Sequence, residues 1–227
     1  MNLDRHDALA DRHHRLLPSD PIGFLHWHHY SQAIFCELLV RLADNLYHRR
    51  SEEEAGALLH YIRHELPLHE LDEEQDLRWL VTAGQAAGTD TRIDRLFSKL
   101  TRQHRTDREL SEALLDGLTA LAAGKPPSRP HGFIIKALQL AESLRRHVRW
   151  ENQVFLPLVT QGLTRRDRLK LGQRLTARRV ARFPPVEGAV MPADLQAVEA
   201  ACWGLIGPPS WPWRSFSAWR RKTSAPM

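Results

Sequence analysis

Residues 145–155 read RRHVRWENQVF and residues 68–74 read LHELDEE. Each stretch holds one His-x-x-x-Glu motif, His147/Glu151 and His69/Glu73. On an α-helix, positions four apart share a face. Each motif therefore aims an imidazole and a carboxylate at one point. Two further histidines, His29 and His104, fall in two other stretches of helical periodicity. Four helices that each turn a ligand-type side chain inward predict an all-α fold, an up-down-up-down four-helix bundle. Converging nitrogen and oxygen donors in such a bundle are the chemistry of a non-haem di-iron site.

Working outward from the motifs, SDPIGF (residues 19–24) carries a helix start, with Asp20 as N-cap and Pro21 at the first helical position. A first helix is predicted from Pro21 to about His48. Its apolar stripe of Leu25, Cys36, Leu39, Val40, Ala43 and Leu46 puts His29 on the inner face. Ser51 followed by Glu54 reads as a capping box. A second helix then runs from about Glu52 to about Ala83, bent by Pro67. A third is predicted from Thr91 to about Ala122. Its inner stripe reads Ile93, Phe97, Leu100, His104, Asp107, Ser111, Leu114, Leu118, apolar at both ends and polar in the middle. After the break AGKPPSRPHG, a fourth runs from about Gly132 to about Val159, with Ala137, Leu140, Leu144, His147, Glu151, Val154 and Leu158 facing in. At roughly 1.5 Å per residue, the four histidines of such a bundle lie within about 9 Å of one height. Thr164 caps an extra C-terminal helix that ends near Arg182. Residues 1–20 read as a polar arm and 183–227 as a Pro/Trp-rich, partly disordered tail. The tail's composition admits one short helix at about Pro192–Leu205.

The 227 residues suit one domain, here 21–182, plus the arm and tail. No apolar run reaches the roughly 18 residues of a membrane span, and the N-terminus has no apolar core of a secretory signal. The two cysteines, Cys36 and Cys202, make no disulfide framework, and a cytoplasmic location is expected. The net charge of +5 is uneven: residues 165–182 hold eight Lys/Arg and one Asp. The remainder is near neutral, so no nucleic-acid partner is expected. The tail's Trp203, Trp211, Trp213 and Trp219 beside Arg214, Arg220 and Arg221 suit a membrane surface or a protein partner, or rings folded back on the bundle.

A single histidine on an apolar helix face is most often a core residue. Four together, with Glu70, Glu73 and Glu151 beside them, are different, because buried carboxylates are costly unless paired or metal-bound. The inner faces carry few Lys or Arg. The expected ligand set is His29, His69, His104 and His147 as terminal ligands, with Glu73 and Glu151 bridging. Glu70 is either a further terminal ligand or an exposed charge. His28 competes with His29 but lies off the stripe. His26, His48, His60, His64 and His131 are read as solvent-facing.

These residues carry a resemblance. DPIGFLHWHHYSQAIFCELLVRLA (20–43), ELPLHELDEEQDL (65–77), LTRQHRTDREL (100–110) and HVRWENQVFLPLV (147–159) arrive in order and at bundle-like spacing. The chain resembles hemerythrin-like proteins with the HHE cation-binding domain, and LTRRDRLKLGQRLTARR (163–179) is similar to a segment that often follows it. The resemblance spans about residues 18–180. It implies a four-helix bundle around two non-haem iron ions (an Fe–O–Fe type centre) that meets dioxygen or another small oxidant. Oxygen-carrying members have His-x-x-x-His on the third helix. Here the positions four before and after His104 are Leu100 and Arg108, with Asp107 at i+3. Those members also end on His-x-x-x-x-Asp, whereas His147 and Glu151 stand at i+4. Carboxylate in place of imidazole favours the ferric state. The expectation is a protein that binds or senses oxygen, redox state or a related oxidant. Alternatives are a di-iron oxidoreductase acting on peroxide or nitric oxide, and a metal-free helical interaction module.

Overall fold

A computed structural model describes residues 20–83 and 91–182, with side chains through Arg179. All regular structure among them is helical. The arm to residue 19, the 84–90 segment, the expected Pro192–Leu205 helix and the rest of the tail lie outside the described residues.

Helix α1 spans Pro21–Asp44, with the Gly23 N–H donating to Asp20 Oδ1 at 2.9 Å. It stops short of the expected His48 because Asn45 turns to extended backbone (φ −150°, ψ 92°). His48 serves the linker instead. Its Nδ1 accepts the Arg50 N–H at 3.1 Å, and its carbonyl accepts the Ser51 N–H and hydroxyl at 3.0 and 2.7 Å. That contact also undoes the expected capping box. Ser51 is the first helical residue, and Glu54 is buried between Arg41 Nη2 (2.6 Å) and His48 Nε2 (3.1 Å). A buried carboxylate left without a cation costs several kcal/mol, about 3–5, against about 1 for a lost cap.

Helix α2 runs from Ser51 to Ala83 and contains two wide π-turns, Tyr61–Glu65 and Asp72–Leu77. The first precedes Pro67. A proline ring collides with the carbonyl four residues back; here the Leu66 N–H reaches back five residues to the Tyr61 carbonyl and opens the turn. The bend expected at Pro67 is thus taken up as a π-turn.

Helix α3, Thr91–Glu112, does not continue to Ala122 as expected. The Leu114 N–H turns back to the Ser111 carbonyl at 3.0 Å, and a separate helix α4, Leu115–Ala122, follows. The break keeps Leu114 and Leu118 fully buried. In α4, Gly117 lies against Phe133: a Cβ there would collide with the ring's Cδ2 and Cε2.

Helix α5, from Pro130 to Thr160, repeats the α2 device. Its π-turn Glu151–Phe155 closes with the Leu156 N–H on the Glu151 carbonyl, just before Pro157. One extra residue in a turn rotates the following face by about 100°. The expected inner Val154 is therefore exposed and Leu158 half-buried, while Phe155 and Val159 take the core positions.

Helix α6, Arg165–Arg182, starts with a reciprocal cap. Thr164 donates its N–H (3.1 Å) and hydroxyl (2.6 Å) to Asp167 Oδ2, and the Asp167 N–H returns to Thr164 Oγ1 at 3.2 Å. Leu171 and Leu175 are fully buried.

Two apolar clusters flank a polar middle layer. One gathers Leu25, Leu77, Leu100, Phe155, Leu171 and Leu175; the other gathers Ile34, Leu66, Leu114 and Leu144. Along α1 the chain leaves the first cluster at Leu25, passes His29 and enters the second at Ile34. Along α2 it goes from Leu66 past His69 and Glu73 to Leu77, in the opposite order. Helix α3 repeats the order of α1, and α5 that of α2. All four candidate histidines therefore lie between two dry layers. No helix among the described residues is long and apolar enough to cross a membrane.

Candidate metal centre

Helices α1, α2, α3 and α5 each contribute one histidine to the middle layer. His29, His69, His104 and His147 are all at most 3% exposed, and Glu73 and Glu151 are fully buried. Two groups of donor atoms form. His29, His69, Glu73 and Glu151 lie together, and His104 and His147 lie together with Glu151. Glu151 thus belongs to both. Its Oε2 is 3.1 Å from His29 Nε2, and its Oε1 is 2.9 Å from His147 Nε2 and 3.8 Å from His104 Nε2. Glu73 spans the groups as well, with Oε1 3.6 Å from His29 Nε2 and Oε2 3.4 Å from His104 Nε2 and 3.9 Å from His69 Nε2.

These facing atoms are close but not hydrogen-bonded. Nε2 of all four histidines and both carboxylate oxygens of Glu73 and Glu151 are buried without a hydrogen-bond partner. A buried polar atom left unpaired costs about 1–3 kcal/mol, and more when charged. So many at one point fit a cation that all of them address.

The outward-facing nitrogens are held. His147 Nδ1 pairs with Asp107 Oδ2 at 2.7 Å, and the other Asp107 oxygen accepts the Ser143 hydroxyl. His104 Nδ1 pairs with Glu74 Oε1 at 2.7 Å, and His29 Nδ1 with Asn152 Oδ1 at 2.7 Å. Such contacts fix the ring and leave Nε2 to bind inward. His69 differs: its ring stacks on His28, centroids 5.3 Å apart and nearly parallel.

Charge in the metal-free cluster is balanced by protons. Burial alone would push His29 down, but the Glu151 and Glu73 carboxylates overrule it and hold the imidazole up at about 10. Burial likewise opposes protonation of His147, yet Glu151 and Asp107 raise it to about 9. His104 is raised well above its ordinary value against burial by Glu151, Glu73 and Glu74. Burial lowers His69 to about 4, reinforced by the cationic His29 and His104. For both bridging-type carboxylates burial opposes ionisation, but the surrounding imidazoles hold Glu151 well below, and Glu73 below, the usual carboxylate range.

A family model for the hemerythrin HHE cation-binding domain matches residues 20–159. The chain belongs to this family. No curated protein and no solved structure matches the chain. The HHE match encloses all four histidines and both glutamates and stops before α6.

Within this HHE domain, Glu70 is not brought into either donor group. It is 4% exposed, 3.5 Å from Arg108 Nη1, and burial pushes its carboxyl up to about 7. It is therefore not an exposed charge either. Of the other histidines, His131 is exposed, as expected. His26, His48, His60 and His64 are half-buried, and His28, the competitor of His29, is buried outside both donor groups. Arg179 Nη2, 3.1 Å from His28 Nε2, gives that buried ring a partner.

Sequence reasoning missed Glu74, Asn152 and the pairing of Asp107. A signal existed for the first two: each directly follows a candidate bridging glutamate, in Glu73-Glu74 and Glu151-Asn152. It also missed that the basic stretch of α6 answers buried acids. Arg174 and Arg178 bind Asp76 at 2.7 and 2.6 Å, and Arg179 binds Asp72 at 2.6 Å. Both partners recur at i,i+4, a match visible in the sequence.

Proposed function

We propose that this protein holds two non-haem iron ions in an up-down-up-down four-helix bundle and uses them to bind or sense oxygen, redox state or a related small oxidant. The observation that carries this reading is the convergence of buried, hydrogen-bond-free nitrogen and oxygen atoms from His29, His69, His104, His147, Glu73 and Glu151. Membership of a cation-binding family supports it. The alternating order in which α1, α2, α3 and α5 traverse the two apolar clusters supports the topology.

In this reading, His29 and His69 would hold one ion and His104 and His147 the other, with Glu151 and Glu73, each near histidines of both groups, available to both. When bound, iron supplies an exchangeable coordination position and a ferrous/ferric couple. The chain's own part is to hold donors and exclude water. Asp107, Glu74 and Asn152 fix three imidazoles from behind, and the two apolar clusters close the layer above and below. The third helix offers one imidazole only: Leu100 is core, Arg108 turns to Glu70, and Asp107 is engaged with His147. The third helix thus departs from the His-x-x-x-His of the oxygen carriers, which favours sensing or oxidant handling over reversible oxygen carriage.

The test is metal content per chain in protein purified from iron-supplied cells without chelators. About two irons per chain are expected. A value near zero, unchanged after anaerobic ferrous reconstitution, overturns the proposal.

A further inference from the structure

Helix α6 lies beyond the family-matched residues, yet it reaches the edge of the centre. Asp72 and Asp76 stand on the π-turn Asp72–Leu77 that carries Glu73, and they are 0% and 2% exposed. Their charges are answered from α6. Arg179 grips Asp72 with both guanidinium nitrogens, at 2.6 and 3.2 Å, and Arg178 Nε adds 3.5 Å. Arg178 also grips Asp76 with both Nη2 (2.6 Å) and Nε (3.1 Å), joined by Arg174 Nε at 2.7 Å. Arg179 extends further, to His28 Nε2 at 3.1 Å and over the Phe24 ring at 4.4 Å. His28 in turn stacks on His69.

Resting on the metal-site reading above, we propose that α6 is a strap that positions His69 and Glu73, with Arg178 and Arg179 as positioning residues for metal retention. The physical reason is charge. Without α6, two adjacent carboxylates would be buried unpaired on a wide helical turn. The turn would open to hydrate them, carrying Glu73 with it, and His28 would lose the contact that presses it on His69. A bidentate arginine fork fixes direction as well as charge, so the ligand-bearing turn is held in register from outside the bundle. The arginines touch no metal-facing atom and act through Asp72, Asp76 and His28.

The experiment is release of ferrous iron from the anaerobically loaded full-length protein to excess chelator, comparing wild type with Arg178→Gln/Arg179→Gln. Release about ten- to a hundredfold faster is expected, the usual effect of removing a partner that orients a ligand. Adding Asp72→Asn/Asp76→Asn to that variant removes the uncompensated charges and should restore slow release. Arg179→Lys keeps the charge without the fork and should fall between. Circular dichroism of each variant separates loss of fold from loss of positioning. Wild-type release rates in a folded arginine variant overturn the strap while leaving the metal reading intact. No rescue by the paired asparagines overturns it as well. Wild type that takes up no metal overturns the metal reading and the strap with it.

Discussion

Loading the metal-free protein with ferrous iron is expected to expel protons. His29 and His147 hold theirs up to about 10 and about 9, and His104 is raised well above its ordinary value. All three are protonated near neutral pH, and each must lose its proton to offer a lone pair. About three protons per chain should therefore be released on filling the site at about pH 7.5. The logarithm of apparent metal affinity should then climb by about 3 per pH unit, equivalent to about 4 kcal/mol per unit. The metal-free fold runs the other way. Values raised above the ordinary 6.5 mean that the imidazolium–carboxylate pairs stabilise it fully below that value. They lose their contribution as pH rises through about 9 to 10. Proton release is read by an indicator dye in weak buffer, and by calorimetry in two buffers of different protonation enthalpy. Chelator competition between about pH 6.5 and 8.5 gives the slope. Uptake of iron with fewer than about one proton released, or a flat affinity across that window, would refute the reasoning.

Three further outcomes are expected. Glu151 belongs to both donor groups and His69 to one, so Glu151→Gln should lower metal content at both positions while His69→Leu retains about one ion per chain, read by elemental analysis. Asp107→Asn keeps the shape behind His147 but removes the charge, and should weaken metal affinity about ten- to a hundredfold in chelator competition. Equal affinity would mean that Asp107 does not tune the ring. Gly117→Ala, which would gain about 1 kcal/mol in an open helix, should instead cost about 1–3 kcal/mol through collision with Phe133. Thermal unfolding checks the sign, and Phe133→Leu in the same background should recover the loss.

Much of this molecule was legible in its sequence because a short-range rule governs it. Positions four apart on a helix share a face, and that rule alone pairs His69 with Glu73 and His147 with Glu151. The inner stripe expected from Ile93 through His104 to Leu118, divided between α3 and α4, is buried at every expected position. Where the reading failed, a long-range demand had overridden a local one. Glu54 left its capping role because Arg41 and His48 converge on it. Val154 left the core because a π-turn before Pro157 turned the helix by one residue.

The sequence by itself determined the helical class, the starts of α2 and α6 to within a residue, and the pairing of His69 with Glu73 and of His147 with Glu151 on one helix face each. Each of these follows from periodicity and capping within one segment. Tertiary structure alone decided how the donors divide into two groups joined by Glu151, which side chain backs each imidazole, and that Glu70 stands apart beside Arg108. Those are relations between helices, set by the register in which four amphipathic faces pack and by where the π-turns rotate them. Local sequence rules carry no information about either until the faces meet.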